Sequence, residues 1–126
     1  MTDTKILIVE DEAIVALEIQ DRLLTLGYQV CNIASNGEKA IASAEVNSPD
    51  LVLMDVKLKG TLDGIETARI IKEKFGIPSV FITAFSDENT LKQIKEHLHY
   101  ECLLKPFEEN ELKEAVGKTL KRHLVK

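Results

Sequence analysis

The sequence predicts one α/β domain, an open sheet of five parallel strands with helices on both faces. Three observations predict it. Four short apolar runs recur along the chain, Ile6-Leu7-Ile8-Val9, Leu51-Val52-Leu53-Met54, Val80-Phe81-Ile82 and Cys102-Leu103-Leu104. They do not alternate with polar residues, which is the habit of strands buried on both faces between helical layers. Stretches of helical periodicity separate the runs, and β-α units repeated in this way imply right-handed crossovers and a parallel sheet. Finally, 126 residues is the length of a single domain.

The first run is followed by Ala13 to Leu26, where Val15, Ile19, Leu23 and Leu26 share one helix face. Gly27 stands where a left-handed C-terminal cap is wanted. Tyr28 to Ala34 is mixed and β-branched in places, which suits a strand nearer an edge. Ser35-Asn36-Gly37-Glu38 has the spacing of a capping box, opening a small-residue helix to about Val46 that Pro49 prevents from continuing. Ile65, Ala68, Ile71 and Phe75 mark the next helix, closed by Gly76 and Pro78. Ser86-Asp87 can start another helix, and Glu108-Glu109 a last one running to about Leu124. Acids stand at the start of that last helix and Lys118, Lys121, Arg122 and Lys126 near its end, as the helix dipole favours.

Composition narrows the function classes. Hydrophobic residues are 44% and charged residues 29%, ordinary for a globular chain. Sixteen Lys and Arg against 21 Asp and Glu leave a formal charge of −5, which disfavours direct nucleic-acid binding and adhesion to an anionic membrane. With aromatics at 5% and no Trp, base stacking has little to work with. The apolar runs are of strand length, too short for a membrane span, and no signal-peptide pattern opens the chain. Cys31 and Cys102 are too few for a disulfide framework, and a cytoplasmic protein is expected.

The residues that follow the runs carry the chemistry. After Val9 come Glu10 and Asp11, after Met54 comes Asp55, after Ile82 comes Thr83, and after Leu104 come Lys105 and Pro106. In an open parallel sheet, ligand chemistry gathers at the carboxyl ends of the strands. Strands lying side by side would bring three carboxylates, a hydroxyl and an ammonium together. Carboxylates 4 Å apart repel by about 4 kcal/mol at an effective dielectric near 20, so a cation is needed. Oxygen-only ligands suit Mg²⁺. Mg²⁺, a Lys and a hydroxyl around a carboxylate are the parts that hold a phosphoryl group in transit, with Asp55 as nucleophile. Each residue alone has an ordinary explanation as a cap, a loop acid or a surface charge. Their recurrence immediately after each buried run is what points to a site.

The set Glu10-Asp11, Asp55, Thr83-Ala84 and Lys105-Pro106-Phe107 resembles the receiver domain of two-component response regulators over essentially the whole chain. The resemblance implies a flavodoxin-like, doubly wound (βα)5 fold with sheet order 2-1-3-4-5, and a receiver domain over residues 1–126 with no effector domain visible. It implies a signalling protein that catalyses its own phosphorylation and dephosphorylation at Asp55, the phosphoryl group coming from a sensor histidine kinase. Asp11 and Asp55 would ligate Mg²⁺ directly, with the main-chain carbonyl of Lys57 as third protein ligand and Glu10 acting largely through water. Thr83 and Lys105 would bind the phosphoryl oxygens, and the Lys105–Pro106 bond would be cis. The surface built from the helix after Ser86, the fifth strand and the last helix would change on phosphorylation and meet a downstream protein. Lys59 to Gly64 resembles the loop after the phosphorylated Asp, with Lys59 or Gly60 where Pro is common. One departure concerns the signal: Cys102 stands where the family usually carries Tyr or Phe, with Tyr100 and Phe85 as the nearby rings.

A receiver excised from a hybrid kinase or longer regulator, or a phosphorelay intermediate, has the same site and stays open as the alternative. Readings from other classes fit less well. A phosphatase of the haloacid dehalogenase type wants an Asp two residues after its nucleophile, where this chain has Lys57. A receiver that had lost phosphorylation would have a broken acidic set. A flavodoxin would need a phosphate-cradling loop where Glu10-Asp11-Glu12 would repel phosphate. His97, His99 and Cys102 lack the disposition of a zinc site.

Overall fold

The computed structural model describes residues 3–58, 60–84, 89, 92 and 101–124. Among the described residues nine elements follow in order: β1 (Lys5–Val9), α1 (Ala13–Thr25), β2 (Gln29–Ala34), α2 (Gly37–Asn47), β3 (Leu51–Asp55), α3 (Gly64–Phe75), β4 (Ser79–Ala84), β5 (Cys102–Lys105) and α4 (Glu109–Leu124). Of the helix expected after Ser86-Asp87, only Asn89 and Lys92 are described, and both are helical. Phe85, His97, His99, Tyr100, Lys59 and Lys126 lie outside the described residues.

The five strands form one sheet in the order β2-β1-β3-β4-β5, every pairing parallel. This is the order the resemblance implies. The non-alternating strands are explained by the two cores they divide. Ile6, Ile8, Leu51, Leu53, Val80 and Ile82 face Ile19 and Leu23 of α1 and Leu112 and Val116 of α4. Leu7, Val9, Val52, Met54 and Phe81 face Ala40 and Ala44 of α2 and Ala68 and Ile71 of α3. Each large aliphatic side chain so enclosed contributes about 1.5–3 kcal/mol relative to exposure, so the sheet is fixed from both sides at once.

Helix ends follow local chemistry. Gly27 has φ +94°, and its N–H donates to Leu24 O at 3.0 Å, which closes α1. Gly76, with φ +69°, caps α3 in the same left-handed conformation. The capping box expected at Ser35 does not form. Asn36 is the N-cap of α2 instead, its Oδ1 accepting from Lys39 N at 2.8 Å. An Asn side chain reaches the third amide beyond it as readily as Ser does, so the cap moves one residue along. The edge strand β2 has an irregular register: Ile6 pairs with Val30 and Leu7 with Asn32, and Cys31 is passed over. Cys31 and Cys102 are free thiols on β2 and β5, the two opposite edges. Among the described residues, no helix is long and apolar enough to cross a membrane.

Candidate functional site

The strand order decides where the chemistry sits. β1, β3, β4 and β5 are consecutive neighbours and all run the same way, so their carboxyl ends share one rim. Glu10 and Asp11 follow β1, Asp55 is the last residue of β3, Thr83 lies near the end of β4, and Lys105 ends β5. Asp55 is in register with Ile82, and Thr83 with Leu104, so Thr83 stands one residue beyond Asp55 on the adjoining strand. Thr83 is buried, and Lys57, two residues after Asp55, is exposed.

Carboxylate oxygens of Glu10, Asp11 and Asp55 lie within 4.8 Å of one another. Lys105 Nζ donates to Glu10 Oε1 at 2.7 Å and stands 3.7 Å from Asp55 Oδ2. Backbone amides complete the cradle: Glu12 N–H donates to Glu10 Oε2 at 3.2 Å, and Lys57 N–H to Asp55 Oδ1 at 3.1 Å. Fully ionised, the group holds three negative charges against one positive.

The two buried carboxylates respond differently to that crowding. Burial pushes the Asp55 carboxyl up and the Glu10 charge adds to it, outweighing the pull of Lys105, so Asp55 is raised to about 7. Burial acts on Glu10 in the same direction. There the hydrogen bonds from Lys105 and the Glu12 amide prevail, and Glu10 is held below its ordinary value. For Lys105, burial works against the charge, but the hydrogen bond to Glu10 and the charge of Asp55 prevail, so the ammonium is held more firmly than usual. Glu10 and Lys105 therefore form the fixed ion pair, and Asp55 is the carboxyl left without enough positive charge.

This donor set fits Mg²⁺. It is all oxygen, it carries an excess of two negative charges when ionised, and it is open to water on the Asp11 side, where burial is only partial.

Two neighbours escape a reading of the sequence alone. Gly64 N–H donates to Val56 O at 3.0 Å, and a Cβ placed on Gly64 would lie 2.0 Å from Asp55 O. Only glycine lets α3 begin this close to the acidic residue; its place right after the Asp63 cap was the available signal. Arg22 of α1 donates through Nη1 to Phe107 O at 2.8 Å, directly beyond Lys105-Pro106. The Lys105–Pro106 peptide is cis, as the resemblance implies. Cys102 is half-buried on β5 and packs against the core shared with α2 and α3.

Comparison with known proteins agrees with this geometry. Residues 6–117 match the response regulator receiver domain family. The transcriptional regulatory protein PdtaR of Mycobacterium tuberculosis is 35% identical over 118 residues, covering 94% of this chain and 57% of PdtaR. The chemotaxis protein CheY of Bacillus subtilis is 31% identical over 117 residues, covering 92% of this chain and 97% of CheY. Among solved structures, the signal receiver domain of a modulated diguanylate cyclase from Desulfovibrio desulfuricans superposes with a TM-score of 0.88 at 31% identity, over 98% of each chain. CheY apart, the chain spans about half the length of the curated relatives it matches.

Proposed function

This chain belongs to the response regulator receiver domain family of two-component systems, and from that premise we propose a phosphorylation-driven signalling switch with Asp55 as the acceptor. The observation that carries the proposal is the shared rim: three carboxylates within 4.8 Å, with one ammonium 2.7 Å from Glu10 and 3.7 Å from Asp55. Asp55 is the reactive member because Glu10 is already paired with Lys105.

The step is a phosphoryl transfer. An Asp55 carboxylate oxygen forms a bond to phosphorus as the bond from phosphorus to a kinase histidine nitrogen breaks, and the electron pair leaves with the imidazole. Asp55 must be ionised to attack, so its raised pKa has to be brought down by a cation. Mg²⁺ bound at Asp11, Asp55 and the Lys57 carbonyl, with Glu10 reached through water, would supply that charge and offset the charge on the phosphoryl oxygens. Lys105 is placed to leave Asp55 for a phosphoryl oxygen while still tethered near Glu10. The Thr83 hydroxyl, on the adjoining strand, would hydrogen-bond a second oxygen. Hydrolysis of the acyl phosphate on the same residues would reset the chain.

The receiver unit is proposed to span residues 1–126, receiving the phosphoryl group from a sensor histidine kinase. Its output would be a protein contact on the surface that includes β5, α4 and the helix after Ser86. With Cys102 where a ring is usual, that surface would be coupled to Thr83 by packing rather than by an aromatic rotation. A cytoplasmic location follows from the kinase partner.

Incubation with acetyl phosphate and Mg²⁺, followed by intact-protein mass measurement, tests the proposal. One added phosphoryl group is expected, lost in Asp55→Asn and lost when the metal is chelated. Persistent labelling of Asp55→Asn would contradict the assignment.

A further inference from the structure

We infer that Arg22 is a positioning residue for Lys105: from α1 it clamps the chain just beyond Lys105 and so fixes where the ammonium stands over Asp55. The inference rests on the phosphoacceptor reading above. Lys105 has a long unbranched side chain, and its reach to both Glu10 and Asp55 depends on where its backbone is held. That backbone leaves β5 through Pro106 into Phe107, whose side chain is buried. The hydrogen bond and the ring contact of the Arg22 guanidinium both fall on this one residue. Nη1 donates to the Phe107 carbonyl at 2.8 Å, and the guanidinium carbon lies 5.5 Å from the ring centroid.

The helix that supplies the clamp also leads away from the acidic corner. Glu10, Asp11 and the N-cap Glu12 immediately precede Ala13, and Arg22 lies further along the same rigid element. One helix therefore links the acids to the segment directly beyond the opposing cation. Arg22 is suited to this by its planar fork, which can hold a carbonyl in its plane and present a face to a ring at once. Beside the clamp, Val15, Ile19 and Pro106 border a recess of about 270 Å³, space into which a released loop could shift.

The test measures the rate of labelling of the full chain by acetyl phosphate at saturating Mg²⁺, with Mg²⁺ affinity measured alongside by calorimetry. Arg22→Met keeps the apolar stem and removes the fork, and its labelling rate should fall by about ten- to a hundredfold, the upper end being what a 1 Å misplacement of a catalytic group can cost. Its Mg²⁺ affinity should stay at the wild-type value, because the metal-facing carboxylates stand just after β1 and at the end of β3, and retained binding also shows that the variant is folded. Arg22→Lys should recover part of the rate. In a Lys105→Ala background Arg22→Met should cost nothing further, whereas a merely structural role would cost the same in both backgrounds. An unchanged rate in Arg22→Met, or an equal loss in the Lys105→Ala background, overturns the inference. Failure of the wild-type chain to label at all would instead overturn the reading of Asp55 itself.

Discussion

The two rims of the sheet are built from the same strands and treat charge in opposite ways. At the amino-terminal rim, Asp50 accepts the Lys5 backbone N–H at 2.8 Å through its side chain and returns its own N–H to Lys5 O at 2.8 Å. Asp50 is exposed, and its charge stays in water. At the carboxyl rim, Glu10 and Asp55 are buried and share one ammonium with Asp11 nearby. One rim closes the sheet and the other holds unbalanced charge. A parallel sheet can thus be closed by paired backbone groups at one rim and carry uncompensated charge at the other, and the uncompensated rim is where the proposed cation would be held.

The carboxyl rim is most sensitive to substitution at Gly64. Any side chain there meets Asp55 O and Val56 Cα at 2.0 and 2.8 Å, both backbone atoms that cannot step aside. Gly64→Ala should lower unfolding free energy by about 3 kcal/mol, read by urea denaturation, because overpacking against backbone forces the start of α3 away from β3. A loss no greater than at an exposed position would mean that the loop is not held as described.

A smaller effect of opposite sign is expected at the charges themselves. Asp55 titrates at about 7 in the fold against 3.8 ordinarily. Between those values the folded chain binds a proton that the unfolded chain has lost, so stability falls as pH rises from about 4 to about 7, and the whole penalty is present above 7. Asp55→Asn removes it. In chelator at pH 8 the variant should be more stable by about 1–2 kcal/mol, a rise of roughly 5 °C in Tm, and the gain should vanish near pH 4. Asp50→Asn, on the well-paired rim, should show no gain and at most a slight loss. Equal behaviour of the two variants in thermal melts would erase the distinction between the rims.

Much of the fold and of the carboxyl rim was legible in the sequence, because its cause is local to each strand. Ile6 to Val9 is apolar without alternation since Ile6 and Ile8 enter one core and Leu7 and Val9 the other. Glu10, Asp11, Asp55, Thr83 and Lys105 could be placed on one rim once the runs were read as adjacent parallel strands. What escaped depended on contacts remote along the chain or on fine local competition. Arg22 meets Phe107 across 85 positions, and nothing near Arg22 in the sequence announces the partner. Cys31 is passed over in the β1–β2 register because an edge strand with one neighbour can bulge without breaking a second ladder. The choice of Asn36 over Ser35 as cap lay between two residues of nearly equal capping strength.

The carboxyl rim is proposed to hold a divalent cation beside Asp55, and Mg²⁺ titration by calorimetry tests this directly. One ion per chain is predicted, with binding weakened at least tenfold in Asp11→Asn and in Asp55→Asn, as expected for loss of a charged oxygen ligand, and unchanged in Asp50→Asn. Binding that survives both rim substitutions, or no binding to the wild-type chain, would contradict it.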